Sequence, residues 1–241
     1  MKDHQKWVVI TQSNYIPWKG YFDLIRAADH VILYDDMQYT RRDWRNRNQI
    51  KTKDGLIWLT VPVEVKGKYE QTIAETKVSD PTWYKKHLTT IYHAYKKAPY
   101  FEKFYPILEK AYLELDSVDQ LSKINFKLIK TICEYLNIQT KIEFSMNYSL
   151  IEGKTERLVD LCEQLHATDY LSGPAARDYI QQDLFDQSKI ELHYADYTNY
   201  PTYPQIHSDF VHGVSILDLL FHVEDARVYM KDLKSKSSSN F

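Results

Sequence analysis

Four arginines fall within seven residues of the sequence, and they are its most distinctive candidates for chemistry. They are Arg41, Arg42, Arg45 and Arg47. A guanidinium is a planar, charged fork that binds phosphate or carboxylate and stacks on aromatic rings. Arg45 follows Trp44, and we expect the indole face to hold its guanidinium. The run predicts a site for an anionic small molecule, and the alternative is a surface loop whose aspartates neutralise the arginines.

A second polar group follows the first apolar run, residues 6–11. Gln12, Asn14 and Tyr15 come directly after this predicted strand and before a predicted helix. In open α/β sheets, ligands bind at the carboxyl ends of strands and near helix N-termini. We expect these three residues to orient an acceptor substrate, with Gly20 permitting a close approach between helix and strand or ligand. An ordinary turn around a packed Trp-Pro pair is the alternative.

Two residues are candidates for a catalytic base. Asp35 closes the second apolar run, residues 30–34, and His212 carries an imidazole that titrates near neutral pH. Asp35 and Asp36 could also bind Mg²⁺ against a diphosphate, but adjacent strand residues point to opposite faces, so we expect only one to face the site. No dedicated metal motif and no cofactor are specified by the sequence.

A strand, a Ser-Gly-Pro turn and a helix are predicted between residues 169 and 185. Backbone N–H groups are free at such a turn, and Ser172 and Arg177 are candidates for holding an anion there. The alternative is a plain helix start with proline at its first position. Both interpretations stay open on the sequence alone.

The pattern of apolar residues predicts the elements that position these groups. Short apolar runs typical of strands alternate with amphipathic helical stretches, one of which spans residues 18–28. The strands are expected at residues 6–11, 30–34, 56–63, 142–148, 169–172 and 190–194. This alternation predicts an α/β fold with a mainly parallel, Rossmann-like sheet.

The chain is predicted to be a single α/β domain over residues 1–241. A helical insertion is expected at about residues 80–140, with Pro99 and Pro106 breaking its helices. A Tyr- and Pro-rich segment, residues 196–209, reads as a long loop of the kind that is often functional. The tail from about residue 231 is expected to be frayed.

Composition narrows the class of protein further. The 241 residues carry a net charge of −2 and include 20 tyrosines. The charge disfavours a nucleic-acid partner, since duplex-binding domains are usually basic. Cys133 and Cys162 lie among apolar residues and are expected to be packed, reduced thiols. Without a signal-like or membrane-spanning run, we expect a cytoplasmic protein; its oligomeric state stays open.

The first 35 residues resemble the start of the nucleotidyltransferase superfamily, whose HxGH signature opens the first helix. The matching tetrapeptide is Trp18-Lys19-Gly20-Tyr21, which keeps the glycine and replaces both histidines. Those histidines stabilise the triphosphate during adenylyl transfer. The resemblance therefore supports a nucleotidyltransferase-like fold more than that reaction.

Several longer runs resemble the WbqC-like family over nearly the whole chain. They are QSNYIPWKGYFDLI, VILYDDMQYTRRDWRNRNQIK, WLTVPV, YLSGPAARDYI and FVHGVSILDLLF. The resemblance implies a role in bacterial O-antigen or other surface-polysaccharide biosynthesis. It suggests a transferase for a nucleotide-linked amino sugar, with acyl or aminoacyl transfer as candidate reactions. A non-catalytic module that binds a nucleotide or nucleotide sugar, or partners another enzyme, is the alternative.

Overall fold

A parallel β-sheet forms the centre of the computed structural model, which describes residues 5–207 and 209–234. Its five strands, all within those ranges, lie in the order β5-β2-β1-β6-β7. They are β1 (Trp7–Thr11), β2 (His30–Leu33), β5 (Lys141–Phe144), β6 (Asp169–Ser172) and β7 (Glu191–Tyr194). Every pair is parallel, and the order reverses between β1 and β6, as in Rossmann-like sheets. The predicted Rossmann-like α/β fold is confirmed.

The first βαβ unit forms as its apolar pattern predicts. Helix α1 (Lys19–Arg26) connects β1 to β2 and buries Tyr21, Leu24 and Ile25. Strand β1 pairs in register with β2, from Val8 opposite His30 to Thr11 opposite Leu33. Nearly every residue of both strands is buried, so the sheet is covered on both faces, as parallel sheets require.

A hairpin between β2 and the helices departs from the prediction. Strands β3 (Arg47–Thr52) and β4 (Gly55–Thr60) form a separate antiparallel pair. The apolar run at residues 56–63 is therefore not a strand of the main sheet. Strand β3 was missed because Ile50 is its only apolar residue, and the other two buried positions, Asn48 and Lys51, are polar. Arg47 accordingly lies on a strand and not in a loop.

Three helices follow the hairpin, in the region of the predicted helical insertion. They are α2 (Trp83–Tyr95), α3 (Phe101–Leu113) and α4 (Leu121–Tyr135). The expectation that Pro106 ends a helix is wrong, because Pro106 lies inside α3. Phe104 and Leu108 are fully buried on either side of Pro106. Their packing stabilises the helix although proline has no backbone N–H to donate within it.

The last third of the chain contains α5 (Thr155–Gln164), α6 (Gln182–Gln187) and α7 (Ile216–His222). The single helix expected at residues 175–185 is instead a 3-10 turn, Pro174–Asp178, followed by α6. The described part of the segment 196–209 contains no helix or strand. The predicted frayed tail falls largely on residues 235–241, outside the described residues.

Two further expectations can be compared with the structure. Cys133 and Cys162 are buried and unpaired, and burial raises the pKa of both thiols, that of Cys133 to about 12. They are packed thiols, as predicted. In the described part of the chain, every helix is too short or too polar to cross a membrane.

Candidate functional site

The turn after β1 is fixed by the buried carboxylate of Asp35. Asp35 Oδ1 accepts the N–H of Ser13 at 2.8 Å, and Oδ2 accepts the hydroxyl of Ser122 from α4. Asn125 of the same helix donates to Ser13 Oγ at 3.0 Å. Burial raises the pKa of Asp35 although the bonds from Ser122 and Ser13 oppose it. The carboxylate thus ties the ends of β1 and β2 to the helical region.

Asp36 points to different partners. Its Oδ2 lies 2.8 Å from Arg157 Nη1 of α5, and its Oδ1 accepts the Ser145 hydroxyl. The two adjacent carboxylates therefore diverge, although both residues lie in the turn after β2 and not in the strand. A Mg²⁺ ion shared between Asp35 and Asp36 does not fit this arrangement.

A cavity of about 330 Å³ opens next to the turn after β1. Its walls come from three regions that are distant in sequence: the entry to α1, the start of the hairpin and the entry to α7. The lining residues are Asn14, Pro17, Trp18, Trp44, Asn48 and Gly213. Two indoles and two amide side chains therefore face one small space.

Hydrogen bonds hold the hairpin wall against the turn. Tyr15 N–H donates to the Trp44 carbonyl at 2.9 Å, and Asn48 Nδ2 donates to the carbonyls of Tyr15 and Ile16 at 3.2 and 3.0 Å. Ile16 has φ of +35°, which is uncommon for a β-branched residue. Such local strain persists only where surrounding contacts over-determine it, and here the Asn48 amide supplies two of them.

The entry to α7 closes the third side. Ile216 N–H donates to the Pro17 carbonyl at 2.9 Å, and Ser215 N–H donates to the Gln49 carbonyl at 2.9 Å. Ser215 also caps α7 with its side chain on Leu217 N–H. The cavity is therefore framed by backbone bonds between separate elements.

Of the four arginines, Arg45 contacts the cavity wall. Its Nη1 donates to Asn14 Oδ1, and its Nη2 lies 3.5 Å from Asp43. Arg41 donates to the Val65 carbonyl, and Arg42 is exposed. The structure thus brings Asn14 and Arg45 together and directs Arg41 elsewhere.

The expected stacking of Arg45 on Trp44 is replaced by a neighbouring pair. The guanidinium of Arg47 lies 4.1 Å above the Trp58 ring. The cause is the hairpin, which places Arg47 near Trp58 across two paired strands.

The Tyr15 side chain does not reach the cavity, contrary to its predicted role with substrate. It is fully buried, and its hydroxyl lies 2.6 Å from His87 Nδ1 and 2.5 Å from the Tyr112 hydroxyl. Burial lowers the pKa of His87 to about 4, so the ring is neutral. With Nε2–H donating to the Thr60 carbonyl, Nδ1 accepts from Tyr15. This chain of bonds holds the turn in place.

Gln12, Ser172 and Arg177 lie at the carboxyl edge of the sheet but do not line the cavity. The Gln12 carbonyl accepts the Tyr21 hydroxyl at 3.0 Å. Ser172 is buried at the end of β6, and the exposed Arg177 lies 4.9 Å above the Tyr194 ring. The substrate-binding roles of these three residues stay predictions.

His212 is exposed and directly precedes Gly213, which lines the cavity. Its ring packs edge-on against Phe210, with centroids 4.5 Å apart. Partial burial, and then the nearby ammonium of Lys19, lower the pKa of His212 below 6.5. The imidazole is therefore neutral at pH 7 and able to accept a proton.

Lys19 is a neighbour of the cavity that sequence reasoning missed. It is almost fully buried, donates to the Pro201 carbonyl at 2.9 Å, and lies 4.8 Å from the Tyr200 ring and 5.2 Å from that of Tyr203. Burial lowers its pKa to about 8. Asn48 and Pro17 were also missed. The Tyr- and Pro-rich segment was the sequence feature that could have indicated burial of Lys19, because a buried ammonium is stabilised by aromatic faces and carbonyls.

Gly20→Ala is expected to lower the free energy of unfolding by about 1–2 kcal/mol. An added Cβ would lie under 3.0 Å from the Trp18 ring, which is packed against Tyr197 and Tyr200. Overpacking costs about 1–3 kcal/mol, and the better helix propensity of alanine offsets up to about 1 kcal/mol. Urea unfolding measures the effect. Gly173→Ala, which meets open space, is the control, and equal losses in both variants would contradict the prediction.

One group within residues 5–207 and 209–234 has metal-ligand spacing: Asp169, Glu191 and His193. It lies toward the amino ends of β6 and β7, at the opposite edge of the sheet from the turn after β1. His193 Nε2 is already 2.8 Å from Asp169 Oδ1. These residues form a hydrogen-bonded cluster on that edge.

The fold and the cavity define a Rossmann-like α/β protein in which an inserted hairpin covers the first βα turn. The chain belongs to the WbqC-like protein family, whose model matches residues 12–229. It is 50% identical over 218 residues to the uncharacterized protein Rv1507c of Mycobacterium tuberculosis, covering 90% of this chain and 94% of that protein. No solved structure matches the chain.

Proposed function

We propose that this protein is a transferase that acts on an activated, nucleotide-linked amino sugar, with acyl or aminoacyl transfer as the reaction. The observation that carries the proposal is the cavity of two indoles and two amides with Arg45 attached to its wall. Its place in surface-polysaccharide biosynthesis is what the WbqC-like resemblance implies.

The cavity suits a sugar for chemical reasons. Small-molecule sites have volumes of about 300–1,000 Å³ and combine apolar walls with a few placed polar groups. Trp18 and Trp44 offer flat apolar faces for the C–H side of a pyranose ring. The Asn14 amide brings N–H donors that match sugar hydroxyl and acetamido oxygens. The Asn48 amide is bonded to the Tyr15 and Ile16 carbonyls and to Gln49 N–H, so it holds the wall in shape.

Arg45 supplies the charge that a nucleotide-linked sugar requires. Its guanidinium has five N–H donors, and the contacts with Asn14 and Asp43 leave some of them for a ligand. The Arg45 side chain is 17% exposed to solvent, so a phosphate can reach it. Bidentate binding of phosphate or carboxylate is the geometry in which arginine is strongest.

His212 is the better candidate for the base. In acyl transfer the sugar amine attacks the acyl carbonyl, an N–C bond forms, the donor's leaving group departs with its electron pair, and the amine proton passes to a base. His212 is neutral at pH 7 and adjoins the cavity. Asp35 is buried with both oxygens bonded, which suits a positioning role.

The pH dependence of kcat/KM tests the role of His212. Because the base acts unprotonated and the pKa of His212 is lowered, the acid limb of kcat/KM is expected to lie at lower pH than that of an ordinary imidazole. On this limb kcat/KM falls tenfold per pH unit below the imidazole pKa. His212→Gln should remove this acid limb. A limb that persists unchanged in the variant assigns the titration to another group.

The substrate class is tested by calorimetry with a panel of uridine-, thymidine- and guanosine-diphosphate amino sugars. The reaction is then tested by a turnover assay with acyl-thioester and aminoacyl donors. We expect binding of a nucleotide sugar that Asn14→Ala weakens, and turnover with one donor class. Binding equal in wild type and Asn14→Ala would contradict the proposal. Leu113→Ala, on the exposed surface of α3, is the control.

A non-catalytic module for the same ligand is the second candidate. The complete burial of Asp35 favours it, because one of the two predicted bases cannot reach a substrate in the cavity. Binding that depends on Asn14, without turnover for any donor, would support this candidate.

A further inference from the structure

The outer face of the hairpin is an exposed surface of aromatic and polar side chains, which we call the Trp58 face. It comprises Trp58, Gln49, Arg47 and the adjoining Trp44. Gln49 is paired directly opposite Trp58, so both side chains project from the same side of the two strands. Trp44 and Trp58 are 43% and 42% exposed, which is unusual for indoles without a partner.

The ring planes of the two indoles are inclined to each other. Their ring centroids are 5.5 Å apart, and the rings are tilted by 40°. On Trp58 the Arg47 guanidinium stacks at 4.1 Å, and it is held by a 2.5 Å bond to the Arg42 carbonyl. The cation is therefore fixed at one side of an exposed aromatic surface.

One polar group on this face is available to a ligand, and a second is incompletely hydrogen-bonded. The Gln49 side-chain amide forms no hydrogen bond within residues 5–207 and 209–234. Arg47 Nε is buried without a hydrogen-bond partner among those residues. An amide that both donates and accepts suits the edge of a heterocyclic base, and a guanidinium suits a phosphate.

Trp44 connects the Trp58 face to the cavity, because it lines the cavity and also contacts Trp58. Arg45, the next residue, is bonded to Asn14 in the cavity wall. A ligand that occupies the cavity can therefore continue past Trp44 onto the hairpin, with Arg45 close to the junction.

We propose that the Trp58 face binds the nucleoside diphosphate portion of the substrate. The base stacks on the exposed indoles with Gln49 at its edge, and Arg45 and Arg47 face the phosphates. The inference rests on the proposed function, since the sugar portion would occupy the cavity. It adds a second subsite, which is outside the cavity and is built from the hairpin.

Calorimetry separates the two subsites. The probes are the uridine, thymidine, cytidine, guanosine and adenosine diphosphates without sugar, and the corresponding amino-sugar conjugates. Trp58→Ala is expected to weaken binding of the preferred diphosphate at least fivefold, because stacking of a base on an aromatic side chain is worth that much or more. Trp58→Phe should recover most of the affinity. Tyr179→Ala, another exposed aromatic, is the matched control.

Gln49→Ala supplies an independent variant, because the Gln49 side chain forms no hydrogen bond with the described residues that its removal would break. It should reduce the preference among bases more than the affinity for all of them. Tryptophan fluorescence gives a direct readout, since a base stacked on the indoles quenches emission, and the quenching should disappear in Trp58→Ala.

The outcomes distinguish this inference from the proposed function. Binding of sugar conjugates that depends on Asn14 but not on Trp58 would overturn the inference and leave the proposed function standing. Binding of diphosphates that depends on Trp58, with no gain from the sugar and no effect of Asn14→Ala, would support the inference and overturn the proposed function. A ten-nucleotide RNA that binds far more tightly than any mononucleotide, with steep salt dependence, would overturn both.

Discussion

Asp35→Ala is expected to lower the free energy of unfolding by about 2–5 kcal/mol. Asp35 is fully buried and accepts hydrogen bonds from the Ser13 N–H and the Ser122 hydroxyl. Alanine would leave both donors buried without an acceptor, at about 1–3 kcal/mol each. Urea unfolding at pH 7 measures the loss. Asp36→Ala, whose carboxylate is less buried, is the control and should lose less.

Asp35→Asn separates a positioning role from a catalytic one. Asparagine keeps an acceptor for Ser13 N–H, and its Nδ2 can donate to the Ser122 hydroxyl, which both donates and accepts. We therefore expect a loss near 1 kcal/mol and retention of most activity. A base cannot be replaced by an amide, so complete loss of turnover with unchanged stability would restore Asp35 to the reaction.

The pH dependence of stability gives a second measurement on the same variant. Because the folded-state pKa of Asp35 is raised above 3.8, the folded protein binds the proton more tightly than the unfolded chain. Its contribution to stability is therefore present at low pH and is lost as the pH rises from about 3.8 through the folded pKa. The stability difference between wild type and Asp35→Asn should shift against wild type over that window. A difference that is constant with pH would contradict the raised pKa.

The parallel core was predictable because each of its strands carries its own signal. The runs around Val8 and Val31 have consecutive apolar residues, Trp7–Ile10 and Val31–Leu33, as is typical of strands buried on both faces. The helical face of Tyr21, Leu24 and Ile25 lies between them. Local periodicity was therefore sufficient to predict the first βαβ unit.

The cavity was less predictable because the hairpin that forms one wall has a weak local signal. In β3, Asn48 and Lys51 are buried for reasons that lie elsewhere: Asn48 bonds the Tyr15 and Ile16 carbonyls, and the Lys51 ammonium bonds Gln205 and the Asp209 carbonyl. These partners are distant in sequence. Periodicity along the strand cannot reveal such contacts, so the polar strand was taken for a loop.

Tyr15 illustrates the same limit. Its position between polar residues and a helix start favours a ligand contact, yet the fold turns the ring inward to meet Tyr112 and His87. The backbone of Tyr15 still serves the site through its bond to Trp44. The sequence located the turn, and only tertiary packing decided which side chains face the cavity.

Arg45→Ala is expected to reduce affinity for an anionic sugar nucleotide ten- to more than a hundredfold. Removing a charge-assisted hydrogen bond costs roughly 1.5–3 kcal/mol, and each 1.4 kcal/mol is a factor of ten in affinity. The loss should be large because Arg45 is positioned before the ligand arrives. Asn14 accepts from its guanidinium, and Asn125 donates to its backbone carbonyl at 2.8 Å.

Arg45→Lys tests geometry apart from charge. Lysine keeps the positive charge, but its ammonium cannot offer two parallel N–H bonds to one phosphate. We therefore expect the order of affinity to be wild type, then Arg45→Lys, then Arg45→Ala. Arg41→Ala removes the same charge from a side chain that bonds the Val65 carbonyl outside the cavity, and it should stay within about threefold of wild type, since exposed charges contribute little.

The competing interpretation is that Arg45 serves only the carboxylate of Asp43, 3.5 Å away. That contact is long for an ion pair with hydrogen bonding, which should be about 2.7–2.9 Å, so it satisfies the guanidinium poorly. If the interpretation were right, Asp43→Asn would destabilise the protein as much as Arg45→Ala, and neither would change affinity. Calorimetry on wild type, Arg45→Ala, Arg45→Lys, Arg41→Ala and Asp43→Asn decides between the two interpretations. If Arg45 contacts the ligand, Arg45→Ala loses affinity, whereas Asp43→Asn keeps its affinity or gains some because the arginine is freed.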